Sequence, residues 1–161
     1  MATLATSTRF ISAGVTKWYF LTTLAASNLT PTRAEITAGT DITGEVADFS
    51  GWTLQASSVA TPDQGSRFIK NVPGRTSVAD SSITFYADKG GTDIRGTMTL
   101  DLAGWIVIAD GGDVTGYKAE VFPVRVMSVG GVRSTGDAAF QITAQFAITS
   151  TPATITLPAT A

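Results

Sequence analysis

From Asp137 to Thr149 the chain alternates without a break: Ala138, Phe140, Ile142, Ala144, Phe146 and Ile148 fill one set of positions, and Ala139, Gln141, Thr143, Gln145, Ala147 and Thr149 the other. Successive side chains of a β-strand point to opposite faces, so this stretch predicts a long strand with one buried and one polar face. Upstream, Tyr117 to Val129 is rich in Val and aromatic residues, and Gly130, Gly131, Arg133, Ser134 and Gly136 supply turn material. The two runs predict a long β-hairpin over 117–149.

The remainder reads as a mainly β chain, since 26 Thr and 16 Gly favour pleated strands and turns over helix. Shorter strands are expected at Trp18–Leu24, Thr32–Thr37, Trp52–Ser58, Ser82–Tyr86 and Gly104–Ile108, and with the hairpin they predict a β-sandwich or partly open barrel. Ala87–Gly96 can start a short helix capped by Thr92 or Asp93, with Ile94 and Met98 on one face. Met98, Leu100 and Leu102 alternate equally well as a strand.

Three segments fall outside this single-domain core, which 161 residues suffice to build. Residues 1–16 are mixed and polar, with Arg9 among them, and predict an amino-terminal arm and no targeting peptide. Residues 59–79 hold two Pro and two Gly with no clean period and are expected as a long loop that reaches a partner. Residues 150–161 carry no charge, two Pro, and only Ile155 and Leu157 as apolar anchors, so they are expected as an extended arm lying on a neighbouring copy.

Several function classes drop out. Neither Cys nor His occurs, which removes disulfides, Cys/His zinc sites, thiol nucleophiles and Ser-His-Asp chemistry together. No apolar run approaches the roughly 18 residues of a membrane helix. A net charge of −2 argues against nucleic-acid binding by charge attraction. Asp110 and Asp113 around Gly111-Gly112, and Asp41 and Glu45 around Gly44, are the carboxylate pairs an acid–base enzyme would want, but Asp and Gly at such places serve turns. No GxSxG, P-loop or GxGxxG accompanies them. Trp18, Trp52 and Trp105 could form a sugar platform, yet each lies in or beside an apolar strand that would bury it.

Charge is segregated along the chain. Between Thr30 and Ser66, Glu35, Asp41, Glu45, Asp48 and Asp63 face Arg33 alone, whereas Arg67, Lys70 and Arg75 follow with no acid among them. An acidic face and a basic segment of this kind let one copy dock on the next, because complementary potentials select partner and register.

Particular strings resemble a known family. Pro31-Thr32-Arg33-Ala34-Glu35-Ile36, Gly39-Thr40-Asp41-Ile42 and Glu45 to Trp52 (EVADFSGW) are similar to the amino-terminal half of tail tube (major tail) proteins of long-tailed, non-contractile phages infecting Actinobacteria. Pro73-Gly74-Arg75-Thr76, Asp80 to Tyr86 (DSSITFY), Asp110-Gly111-Gly112-Asp113, Val121 to Val126 (VFPVRV) and Ile142 to Thr149 (ITAQFAIT) continue the likeness in order. The resemblance implies a tail-tube-type β-sandwich with one short flanking α-helix and extended arms. It also implies homo-hexameric rings stacked into a hollow tube, with strands of neighbouring copies joined into a continuous inner barrel.

On this reading the chain is a non-enzymatic virion subunit, made in the host bacterial cytoplasm, with no cofactor, no metal and no membrane contact. Its partners are further copies, tape-measure protein, and tail-terminator and distal-tail proteins; DNA passes through the lumen without specific binding. Gln141, Thr143, Gln145 and Thr149 are the lumen-facing candidates, because a wall short of basic residues does not hold phosphates; which hairpin face lines the lumen stays open. The loop at 59–79 would contact the adjacent ring, and the segregated charge suggests Arg67, Lys70 and Arg75 meeting Asp41, Glu45 and Asp48 there. The alternative is a monomeric β-sandwich module that binds a carbohydrate or cell-surface ligand.

Overall fold

The computed structural model describes residues 1–160. In chain order it contains β1 (Lys17–Leu21), α1 (Arg33–Ala38), β2 (Thr40–Asp41), β3 (Val46–Ser50), β4 (Leu54–Thr61), β5 (Lys70–Val78), β6 (Ser81–Tyr86), β7 (Ala103–Ala109), β8 (Lys118–Val132), β9 (Gln141–Ile148) and β10 (Ala153–Thr156). All strand pairs are antiparallel. The main sheet runs β2-β1-β7-β8-β9-β6-β3, β10 joins β8 as an extra strand, and β4 and β5 form a separate hairpin.

Apolar alternation decides how this sheet closes. Phe20 on β1, Ile83 and Phe85 on β6, Ile106 on β7, Phe122 and Val124 on β8, and Ile142 and Phe146 on β9 point inward into one shared core. The two ends of the sheet therefore fold towards each other as a β-sandwich. At the seam Trp18 of β1 approaches the ring of Phe49 on β3 at 5.0 Å and that of Trp52 at 5.8 Å, and Trp52 in turn meets Phe122 and Phe146. Alternate residues of the same strands, including Tyr19, Leu21, Val107 and Val121, form a second cluster on the opposite face, covered by Ile36 of α1 and by Ile155 and Leu157. Gly104 permits the tight contact between β7 and β1, because a Cβ there would lie 2.5 Å from the Phe20 ring.

The long hairpin is present as β8 and β9. Its second strand begins at Gln141, and Ala138, Ala139 and Phe140 belong to the connecting turn region. β8 serves both halves of the sandwich: residues 118–121 pair with β10, and from Val124 onward β9 takes over that edge. A register shift between Val126 and Ser128 leaves Met127 bulged and bends the strand where it passes from one layer to the other.

Four expectations are corrected. Thr32–Thr37 does not form a strand: Thr32 Oγ1 accepts from the Glu35 backbone N–H and Glu35 Oε2 accepts from the Thr32 N–H at 2.7 Å, a capping box that starts α1. Residues 59–79 are mostly the β4–β5 hairpin; both its faces are exposed, so no buried face imposes an apolar period. Trp52 lies outside any strand, in a left-handed conformation after Gly51, and turns into the core. The carboxy-terminal segment pairs with β8 of its own copy, and Ile155 and Leu157 are buried there at 5% and 2% exposure. These two anchors cover the apolar back of β8, which would otherwise face water; Ala161, the last residue of that arm, lies outside the described residues.

The expected helix within Ala87–Gly96 is one turn of 3-10 helix, Ile94–Gly96, capped by Asp93 through the Arg95 N–H. Ile94 and Met98 are both buried, whereas Leu100 is exposed, so the alternative strand over 98–102 is absent.

Candidate functional site

The inward face of the β3-β6-β9-β8 layer is committed to the core, which leaves its outward face as a surface with its own chemistry. Register places Asp48 opposite Thr84 and Ser50 opposite Ser82. Ser82, Thr84 and Tyr86 lie opposite Gln145, Thr143 and Gln141. Gln145, Thr143 and Gln141 in turn face Ser128, Gly130 and Val132 of β8. The sequence-predicted Gln141, Thr143 and Gln145 thus share one continuous face. Thr149 lies just past β9, exposed, with its N–H donated to the Pro123 carbonyl.

Neutral hydrogen bonds tie this face together across strands. The Thr84 and Thr143 hydroxyls lie 3.1 Å apart, and Ser128 Oγ donates to Gln145 Oε1 at 3.0 Å. Asp48 is the one charged side chain in this patch. At its end Arg125 is neutralised by Asp101, whose carboxylate lies 2.9 Å from Nε and whose backbone carbonyl also accepts from that atom. Sequence reading missed the partners on β3, β6 and β8. The signal was available on β6, where Ser82 and Thr84 alternate with buried Ile83 and Phe85.

Apart from Asp48, the charged candidates sit elsewhere. Arg67, Lys70 and Arg75 lie on the exposed β4–β5 hairpin, and Lys70 Nζ pairs with Asp63 of the same hairpin at 3.2 Å. Asp41 on β2, Glu45 in the 3-10 turn Thr43–Glu45 and Asp48 on β3 are exposed along one edge of the body. Among the described residues no ion pair joins the two groups within one copy. Asp41 and Asp48 instead accept backbone N–H groups, from Thr43 and Phe49.

The two carboxylates flanking Gly111-Gly112 meet different surroundings. Asp113 is gripped by Arg33 and accepts from the Tyr19 hydroxyl, and these contacts hold its carboxyl below the ordinary range. Burial pushes Asp110 up, and burial with the neighbouring Asp110 charge pushes Glu120 up. Trp18 and Trp52 are buried, and Trp105 packs against the second cluster, so they form no open sugar platform.

A family model for phage tail tube proteins matches residues 4–161, nearly the whole chain. The chain belongs to the phage tail tube protein family. Tail tube membership makes it a structural virion component that self-assembles with further copies and other tail proteins; the match is to the tube family as a whole and names no host. A search of curated proteins finds no match. The mainly β sandwich with one short helix agrees with a tail tube subunit, and no helix among the described residues is long and apolar enough to cross a membrane.

Proposed function

We propose that the chain is the repeating subunit of a long, non-contractile tail tube, built as stacked hexameric rings, with the outward β3-β6-β9-β8 face lining a lumen through which the genome passes. The observation that carries this reading is the polar Ser, Thr and Gln face, at one end of which Arg125 is already paired with Asp101. Duplex DNA carries a charge roughly every 1.7 Å along its axis, so unpaired Lys or Arg repeated around a ring would hold it, whereas hydroxyls and amides let it slide. β3 and the Ser128–Val132 part of β8 each pair on one side only, and joining these edges between copies would close the wall and remove both exposed edges.

The β4–β5 hairpin is the element that reaches the adjacent ring. Its nine-residue strand β5 spans about 30 Å. Arg67 and Arg75 remain without acidic partners among the described residues and supply the charge that meets Asp41, Glu45 and Asp48 of the next ring, with Lys70 shared with Asp63. Tape-measure, tail-terminator and distal-tail proteins complete the tail after synthesis in the host bacterial cytoplasm.

Negative-stain electron microscopy of the tag-free protein, concentrated stepwise at several salt levels, tests the reading. Hollow tubes of uniform width are expected, and Arg67→Glu with Lys70→Glu is expected to stop growth while leaving the monomer folded. Monomers under every condition would favour a carbohydrate or cell-surface binding module instead.

A further inference from the structure

The hairpin tip is an apolar projection with no cover in its own copy. Phe68 is 74% exposed and Ile69 56% exposed, beside the unpaired Arg67. The tip is nevertheless held in shape: Asp63 accepts from the Gly65 N–H and from Lys70 Nζ, and Ser66 Oγ accepts from the Phe68 N–H. Little ordering entropy would remain to be lost on docking.

A receptor of matching chemistry lies at the seam of the sandwich. Trp18, Thr43 and Val46 to Phe49, together with residues 12–14 and 16 of the same copy, border a groove of about 320 Å³. An apolar cavity of about 150 Å³ already holds benzene. Phe49 stands opposite Ile83 in register and so faces inward, yet the residue is 52% exposed because the sandwich is open there. The Asp48 carboxylate at the rim accepts only the Phe49 N–H, and Asp41 and Glu45 are exposed nearby.

We propose that Phe68 of one copy seats in this seam groove of the copy in the next ring, against Trp18, Val46 and Phe49, with Arg67 beside Asp48. The proposal rests on the tube reading and identifies where the hairpin of that reading lands. The occupant is a second copy of this chain because charge and polarity agree. The basic tip meets the acidic edge. The eight-residue strand β4 carries the tip about 26 Å from its base, whereas the groove borders Val46 to Phe49 of β3 in the body. Projection and socket therefore lie on different parts of the surface, and such a head-to-tail contact can repeat without limit. Burying a half-exposed aromatic pair also removes apolar area from water on both sides of the joint.

The absence of Cys makes the test direct. Ala47→Cys and Ile69→Cys variants are mixed, assembled beside the wild type, and treated with a short bismaleimide; Phe68→Ala is assembled in parallel. Tubes whose subunits cross-link between the two variants, together with at least a tenfold rise in the critical concentration for Phe68→Ala, are expected. Tubes of the mixed cysteine variants with no cross-link between them, or an unchanged critical concentration for Phe68→Ala, overturn the socket and leave the tube reading standing. A wild-type chain that never polymerises overturns both.

Discussion

Arg33 grips Asp113 through two parallel hydrogen bonds, Nη1 to Oδ1 and Nη2 to Oδ2, each 2.6 Å, across a sequence separation of 80. The Tyr19 hydroxyl donates to the same carboxylate at 3.2 Å. Helix α1, strand β1 and the turn after β7 are joined at one point, with both charged side chains about four-fifths buried. Removing either partner leaves the other charge partly desolvated, which costs more than the pair itself contributes.

Arg33→Met and Asp113→Asn are each expected to lower unfolding free energy by about 2 kcal/mol. The double variant should lose clearly less than the sum. Urea titrations of the four proteins measure this, and additive losses would show that the pair is uncoupled.

The same cluster sets a pH dependence at both extremes. Arg33 hydrogen bonding depresses the Asp113 carboxyl, so its contribution is complete above the unfolded value and is lost as pH falls below about 4. Tyr19 is pushed up to about 12, chiefly by burial and then by the Asp113 charge. The folded state therefore retains the phenolic proton that the unfolded chain releases near pH 10, and stability declines from there to about 12. Thermal unfolding of wild type and Tyr19→Phe across this window should show a weaker alkaline decline in the variant.

Leu157→Ala should destabilise the isolated subunit by about 2–5 kcal/mol, because Leu157 is fully enclosed over the back of β8. If this segment instead acted only on a neighbour, monomer stability would be unaffected and assembly alone would suffer. Chemical denaturation of dilute monomer separates these results.

Gln141→Lys with Gln145→Lys should leave monomer stability within about 1 kcal/mol, since both positions lie on the outward face. Tubes of this variant are expected to retain short duplex DNA in a salt-dependent manner, whereas wild-type tubes should not. Equal retention by both would place this face away from the lumen.

How much was legible in the sequence follows from what each segment buries. β9 was readable because one face enters the core and the other does not, so Ile142, Ala144 and Phe146 print a period of two. That alternation also identified Gln141, Thr143 and Gln145. α1 was misread because Thr and Ile suggest a strand, although Thr32 and Glu35 already spell the capping box. The β4–β5 hairpin resisted reading since neither face is buried, and cross-strand hydrogen bonds leave no hydrophobic pattern. The end of the chain looked like a detached arm because β10 contributes only Ile155 as a large apolar side chain within the strand, beside the small Ala153 and followed by Leu157. Arg33 and Asp113 lie too far apart for spacing to link them.

β8 belongs to one layer through β7 and β10 and to the polar layer through β9. The two layers are consequently one piece of backbone at this point, not two plates held by side-chain packing. Tension applied to either layer is carried along covalent bonds into the other, so the layers cannot slip past one another under load without breaking ladder hydrogen bonds.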